Sequence, residues 1–372
     1  MAVPVASESA PDRPPLYFVN PLVDFAAIGG VSVACYLLLR FLPSGARPAW
    51  VFTLAAQLVW VCNWPHFSAT SYRLYHSRQN IGQYPLTALA IPWLIMAVVA
   101  AALLSPAVVA PCFVKMFLIW SPYHFSGQTI GLTLIYARRA GFKIGRPERL
   151  ALAGFVFGTF LTTTIAVESD TRPGEYFGIT HAGLGLPPWM FHAARLWMVC
   201  AGVAFALLIA RWCWKSRRLL PPIVLLPALT QYIWFVQGGG LTAFQEYVPF
   251  FHSLQYLLIA WSMQLKEKLD QRQLTPSRRY VLSESARWGA VNFVGGAALF
   301  WALPHLVSRL AALPLVFATG VVIAGVQVHH FFVDGVIWKL RSATVSSPLL
   351  SNLRALLGPA QRPVAVPADR AA

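Results

Sequence analysis

His329 and His330 stand side by side, and Asp334 follows His330 by four residues. Imidazole and carboxylate ligate zinc, copper, iron and manganese, and positions i and i+4 share a helix face. Three other stretches pair a histidine with polar residues at helical spacing. They are Asn63, His66, Thr70 and Arg73; His124 with Gln128; and His252 with Gln255 and Tyr256. The candidate metal ligands are therefore His66, His124, His252, His329, His330 and Asp334, with His76 a further possibility. Gln128, Gln255 and Gln327 are the candidate groups around a bound cofactor. Tyr123 and Tyr256, placed beside His124 and His252, are the candidates for supplying a proton or positioning a substrate. Neighbouring residues on a helix point about 100° apart, so a single ion is expected to take one of His329 and His330. Asp334 either ligates or orients the His330 ring through its N–H.

These residues lie in an apolar chain. Of 372 residues, 57% are hydrophobic and 11% are charged, against roughly 25% charged in ordinary soluble chains. Runs of about 20 apolar residues are what a membrane-crossing helix needs. Ten such runs are predicted, at 21–42, 49–67, 84–104, 106–137, 150–167, 187–210, 219–237, 245–265, 288–308 and 312–338. The expected fold is an all-α, polytopic transmembrane helix bundle, a single domain over 21–341. A polar segment, 1–20, precedes it and a polar tail, 342–372, follows. Pro122 is expected to kink or tilt the fourth helix. Gly127 and Gly131 form a GxxxG pattern that suggests close helix contact, and no stretch reads as a strand.

The net charge of +16 resides mainly in short loops. Loop 138–149 holds Arg138, Arg139, Lys143, Arg146 and Arg149; loop 211–218 holds Arg211, Lys215, Arg217 and Arg218; loop 266–287 holds Lys266, Lys268, Arg272, Arg278, Arg279 and Arg287. The intervening loop 168–186 carries Glu168, Asp170, Arg172 and Glu175, and 238–245 carries no charge. By the positive-inside rule the basic loops are cytoplasmic, which places both termini inside, in a bacterial inner membrane. Positive charge so distributed argues for anionic lipid headgroups rather than nucleic acid as its partner. Five cysteines without a CxxC argue against both a disulfide framework and a thiolate zinc site. Segment 1–20 lacks the layout of a cleavable signal peptide.

With this topology His124 and His252, each 14 residues before a basic residue, lie about 20 Å from the cytoplasmic ends of their helices. His330 and Asp334 lie nearer that surface, while His181, His192 and His305 fall on the opposite side. The polar stripes cannot face lipid, where their groups would lack partners, so they are expected to meet in an intramembrane polar centre. Lys115 stands out as a lone charge in the fourth helix.

The histidine content resembles that of membrane non-haem iron enzymes such as desaturases and hydroxylases. Their HxxxH and HxxHH boxes are absent here, because His329-His330 has no histidine three residues away. Bacterial carotene-cleaving dioxygenases, polytopic with dispersed histidines, are a looser resemblance. The run His252-Ser253-Leu254-Gln255-Tyr256, followed two helices later by His329-His330, is similar to the copper-ligand pattern of haem–copper oxidases, without their HxH haem pair. The expected function is a metal-dependent membrane oxidoreductase, a non-haem iron oxygenase holding one or two iron ions. Its substrate would be a lipid, isoprenoid or carotenoid, and it would draw on an electron donor. Copper, zinc, manganese or haem remain alternatives for the cofactor. A proton- or ion-coupled transporter, and a purely structural hydrogen-bonded network, are the alternative functions.

Overall fold

A computed structural model describes residues 15–42, 49–272 and 277–338. Most of the polar segment 1–20 and all of the tail 342–372 lie outside the described residues. The chain is nearly all helix. In order, α1 is Pro21–Phe41, α2 spans 49–75, α3 is Arg78–Gln83, α4 is Leu86–Leu104 and α5 is Val109–Arg139. Next come α6 (Arg146–Glu168), a two-stranded hairpin of β1 (Gly174–Tyr176) and β2 (Ile179–His181), and α7 (Pro188–Ser216). The remainder is α8 (Pro222–Gln237), the single turn α9 (Thr242–Gln245), α10 (Val248–Arg272), α11 (Arg278–Ala311) and α12 (Leu315–Ile337).

Among the described residues, six helices are long and apolar enough to cross a membrane: α1, α4, α6, α7, α11 and α12. This is fewer than the ten apolar runs expected from the sequence, although a helix covers each of those runs. The four helices outside the six have physical reasons to differ. α8 is apolar but has only the 16 residues of Pro222–Gln237. α2, α5 and α10 carry the polar stripes with His66, His124 and His252.

Proline sets several helix starts, as at Pro188 and Pro222, where its fixed φ suits the first turn. Within α5 the helix continues through Pro122. Among the described residues, five single π-turns are built into otherwise α-helical segments, and one of them, Val59–Asn63, lies directly before the turn that carries His66. Such bulges rotate the residues that follow and recur at functional sites. α11 presses against the same turn. A Cβ at Gly296 would stand 2.6 Å from the Trp64 carbonyl carbon, so only glycine allows the two backbones to come so close.

The chain around Asp24 is fixed at the end of the bundle bearing the basic loops. Asp24 is fully buried and accepts from the N–H groups of Phe18 (2.6 Å), Val19 (2.9 Å) and Asn20 (3.2 Å) and from the Tyr136 hydroxyl (2.9 Å). Arg139 donates to the carbonyls of Leu16 and Tyr17 and lies over the Phe18 ring. Leu16, Tyr17 and Trp338 border one hydrophobic cluster, so the first and last described residues lie at this same end, here termed the basic end.

The opposite, hairpin end corrects two expectations. First, strands do form there. Gly174 pairs with His181 and Tyr176 with Ile179, with Phe177 and Gly178 between them at φ of 51° and 71°. Two consecutive positive φ values make a type I′ turn, whose twist suits a hairpin. Phenylalanine is not the residue that signals such a turn, so this segment reads as a loop in sequence. Second, Lys115 is not a lone charge. Its Nζ lies 2.7 and 2.8 Å from the two carboxylate oxygens of Glu168, which also accepts from the Leu184 N–H. Removing one partner of a largely buried pair leaves the other charge uncompensated. Lys115→Met is therefore expected to destabilise the protein by about 3 kcal/mol, read as a drop in Tm in detergent. The double variant Lys115→Met/Glu168→Leu is expected to recover most of that loss, and a double variant no better than the single would refute the pairing.

Candidate metal centre

Four helices deliver one side chain each to a common point. His66 comes from α2, His124 from α5, His252 from α10 and His330 from α12. Asp334 follows one turn after His330. His66, His252 and His330 are fully buried, at no more than 1% exposure. Ring centroids lie 4.5 Å apart for His66–His330, 4.7 Å for His124–His330, 5.0 Å for His66–His252 and 5.4 Å for His124–His252. Two overlapping triads result, His66–His252–His330 and His124–His330–Asp334, each with its ligand atoms within 4.8 Å of one another.

The second triad has spacings suited to an ion. His330 Nε2 lies 3.1 Å from His124 Nε2 and 3.3 Å from Asp334 Oδ2, and His124 Nε2 lies 3.6 Å from that oxygen. Bonds of about 2.1 Å space donors about 3.0 Å apart at right angles and about 3.4 Å apart at tetrahedral angles. The 3.1 and 3.3 Å distances from His330 fall in that range, and the 3.6 Å between His124 and Asp334 lies just beyond it. Two histidines and one carboxylate are also the ligand set of non-haem iron sites with open positions.

The hydrogen bonds around the cluster orient lone pairs inward. Ser253 Oγ donates to the Pro249 carbonyl at 2.7 Å and accepts from Asn63 Nδ2 at 2.9 Å. Its proton is thus committed, so the 3.0 Å contact with His66 Nδ1 has the imidazole N–H as donor. This fixes the His66 tautomer and leaves Nε2 as a bare lone pair, a familiar way of presenting a metal ligand. Asp334 is divided in the same sense. Its Oδ1 faces Trp338 Nε1 (3.1 Å), Thr70 Oγ (3.3 Å) and the Tyr256 hydroxyl (3.4 Å), while Oδ2 faces the two histidines.

What lacks a partner supports the fit. His66 Nε2, both ring nitrogens of His252, and His330 Nδ1 are buried without any hydrogen bond. A buried polar group left unpaired costs about 1–3 kcal/mol. A hydrogen-bonded network alone would not gather so many such atoms at one point, whereas a cation among them would take up imidazole lone pairs.

The other candidates are placed as follows. Tyr256 is buried against His66, with ring centroids 4.2 Å apart, and accepts from Thr70 Oγ at 2.6 Å. Gln128 donates to the His252 carbonyl (3.0 Å) and to Gln255 Oε1 (3.1 Å), and Gln255 donates to the Ile28 carbonyl. The two glutamines thus tie α5, α10 and α1 together through backbone groups. Gln327 is half-buried on α12. His329 turns away from His330, to the Tyr75 hydroxyl at 3.2 Å. His76 bonds back to the Tyr72 carbonyl and stacks on the Tyr72 ring. Tyr123 is 49% exposed and stacks on Phe157. The structure does not bring these last three to the cluster. Ser253 and Trp338 are the partners that sequence reading missed as site residues. Ser253 is adjacent to His252, and Trp338 is four residues after Asp334, so helical spacing alone could have singled out the tryptophan.

A cavity of about 270 Å³ opens from the cluster toward the basic end. His124, Asp334 and Tyr256 line one end, and Ile135, Ile259 and Trp338 lie farther along. From His124 to Ile135 along α5 is about 16 Å at the helical rise. Gly127, Gly131 and Gly335 also line it, and a Cβ at any of the three would meet no atom within 4 Å. The GxxxG pair therefore leaves open space rather than a close helix contact. Gly127 and Gly335 are exposed, so the cavity reaches the bundle surface between α5 and α12.

No protein-family model matches this chain, no curated protein shows significant similarity to it, and no solved structure matches it.

Proposed function

We propose that this protein is a membrane-embedded, iron-dependent oxidoreductase that acts on an elongated hydrophobic molecule. The observation that carries the reading is the convergence of His66, His124, His252, His330 and Asp334 on one point, with four imidazole nitrogens there unpaired. Iron is preferred because two histidines and a carboxylate form one of the two triads. When bound, iron in such a site supplies activation of dioxygen and one-electron chemistry.

The chain's own groups would do the remainder. The narrow, apolar-walled cavity admits a chain or flat ring system, such as an acyl lipid, isoprenoid or carotenoid, and its opening between α5 and α12 lets that molecule enter from the bilayer. The burial of the cluster excludes bulk water. Tyr256, hydrogen-bonded to Thr70 and facing Asp334 beside the cavity, is placed to give or take a proton at the substrate. In this reading the ten helices that cover the apolar runs all traverse a bacterial inner membrane, the basic end faces the cytoplasm, and an electron donor approaches from that side.

The test is elemental analysis of protein purified in detergent, with an absorption spectrum of the same sample. About one equivalent of iron without a Soret band is expected. A Soret band would replace the reading with haem ligation. Absence of any metal in folded protein would overturn it in favour of a proton relay or transporter.

A further inference from the structure

A second, larger cavity, of about 710 Å³, lies at the hairpin end. Its walls come from the first half of α5, the end of α6, the hairpin and the start of α10. Much of this surface is apolar, but it carries a group of polar side chains that the cavity beside His124 does not, Lys115, Glu168, Thr163, Gln245 and His181. The Nδ1 of His181 is buried there without a partner. Pro122 has no N–H to offer the Leu118 carbonyl one turn earlier, and both residues line the same space. At the mouth, hydrogen bonds from Arg172 hold the Asp170 carboxyl down at about 2, so it stays charged. A space of this size with several charged and hydrogen-bonding groups on its walls is roomy and polar enough to hold water beside them.

Phe125 lies between this vestibule and the histidines. Its ring forms part of the vestibule wall. It also stacks on His252, centroids 4.0 Å apart and planes 19° from parallel. Phe235, another wall residue, lies near-parallel to it at 6.3 Å. His252 is the imidazole with both nitrogens unpaired, and one aromatic ring separates it from the polar space. His124, the preceding residue, instead lines the apolar cavity on the other side.

We propose that the vestibule is a second, polar entrance to the histidine centre, that it admits water and the protons water carries, and that Phe125 is its gate. The centre would then be reached from two ends by different species, the apolar molecule past His124 and water past His252. Turning or removing the Phe125 ring is what opens the polar route.

The probe is diethyl pyrocarbonate, a small reagent that acylates neutral imidazole, applied to the full-length protein in detergent after chelator treatment. Peptide mass spectrometry reads each histidine separately, whether or not the protein holds an ion as isolated. Phe125→Ala is expected to raise the rate at His252 at least tenfold while changing His124 less than twofold. Adding Ser121→Trp, which fills the vestibule, should return His252 to the wild-type rate. Gly131→Phe, which fills the apolar cavity, should slow His124 and leave His252 unchanged. Phe125→Leu, the milder variant, should give an intermediate rise at His252. The proposal is overturned if His252 stays protected in folded Phe125→Ala, or if His252 and His124 rise together regardless of Ser121→Trp.

Discussion

His330→Ala is expected to reduce iron in the purified protein to below a tenth of an equivalent. His330 is the one residue common to both triads, so its loss removes a ligand whichever set an ion uses. Loss of an outer partner of a metal ligand typically weakens binding 10–100-fold, and loss of the shared ligand itself should exceed that. Thr70→Val, which removes a group facing Asp334 Oδ1, should fall in the 10–100-fold range, visible as an ion that a competing chelator removes more readily. The adjacent histidine is the internal control. His329 faces Tyr75, so His329→Ala should retain full metal, as should His76→Ala. Inductively coupled plasma mass spectrometry on the set of variants decides the matter. Equal loss in His329→Ala and His330→Ala would mean that the helix, rather than the ligand, was lost. Full metal in His330→Ala would place any ion elsewhere.

The second large effect concerns the apolar cavity. A side chain at Gly131 would project into open space, so Gly131→Phe is expected to fold normally and fill the channel beyond His124. Binding of a hydrophobic probe, such as a fluorescent acyl chain, should fall by more than 100-fold, while metal content stays unchanged. Gly131→Ala should have little effect on either. If Gly131→Phe strips the metal as well, the cavity is part of the scaffold of the centre rather than its entrance. If probe binding is unaffected, the hydrophobic molecule sits elsewhere.

Much of the centre was legible because helical spacing is a local property. His330 and Asp334 at i and i+4, and His252 with Tyr256, share faces, and the structure turns each pair toward the same point. The same rule cuts against Tyr123 and His329. Each is next to a converging histidine, hence about 100° around its helix, and each faces away. What could not be read was the meeting itself. The contact between His124 and His330 spans 206 positions and that between His66 and Ser253 spans 187. No periodicity within one helix encodes which helices are neighbours. The count of apolar runs and the count of helices apolar enough to span differ for a related reason. The stripes that build the centre dilute the apolar character of α2, α5 and α10. The hairpin was missed because Phe177 takes a backbone conformation that side chains seldom adopt, and the GxxxG pair was misread because spacing cannot distinguish a close contact from a void.

The order of the ligands along the chain has a consequence for how the protein is made. His66 and His124 are synthesised well before His330, which follows His124 by 206 positions. Until α12 joins the bundle, the polar stripes of α2, α5 and α10 can meet one another, as in the contacts of Ser253 with His66 and of Gln128 with His252, but they lack His330 and Asp334. Such helices partition into lipid poorly on their own. They are expected to wait at the protein-conducting channel or against earlier helices until α12 closes the cluster. A chain stalled shortly before residue 330 would hold the imidazoles of His66, His124 and His252 without His330 and Asp334. Assembly of the histidine cluster is thus tied to synthesis of α12.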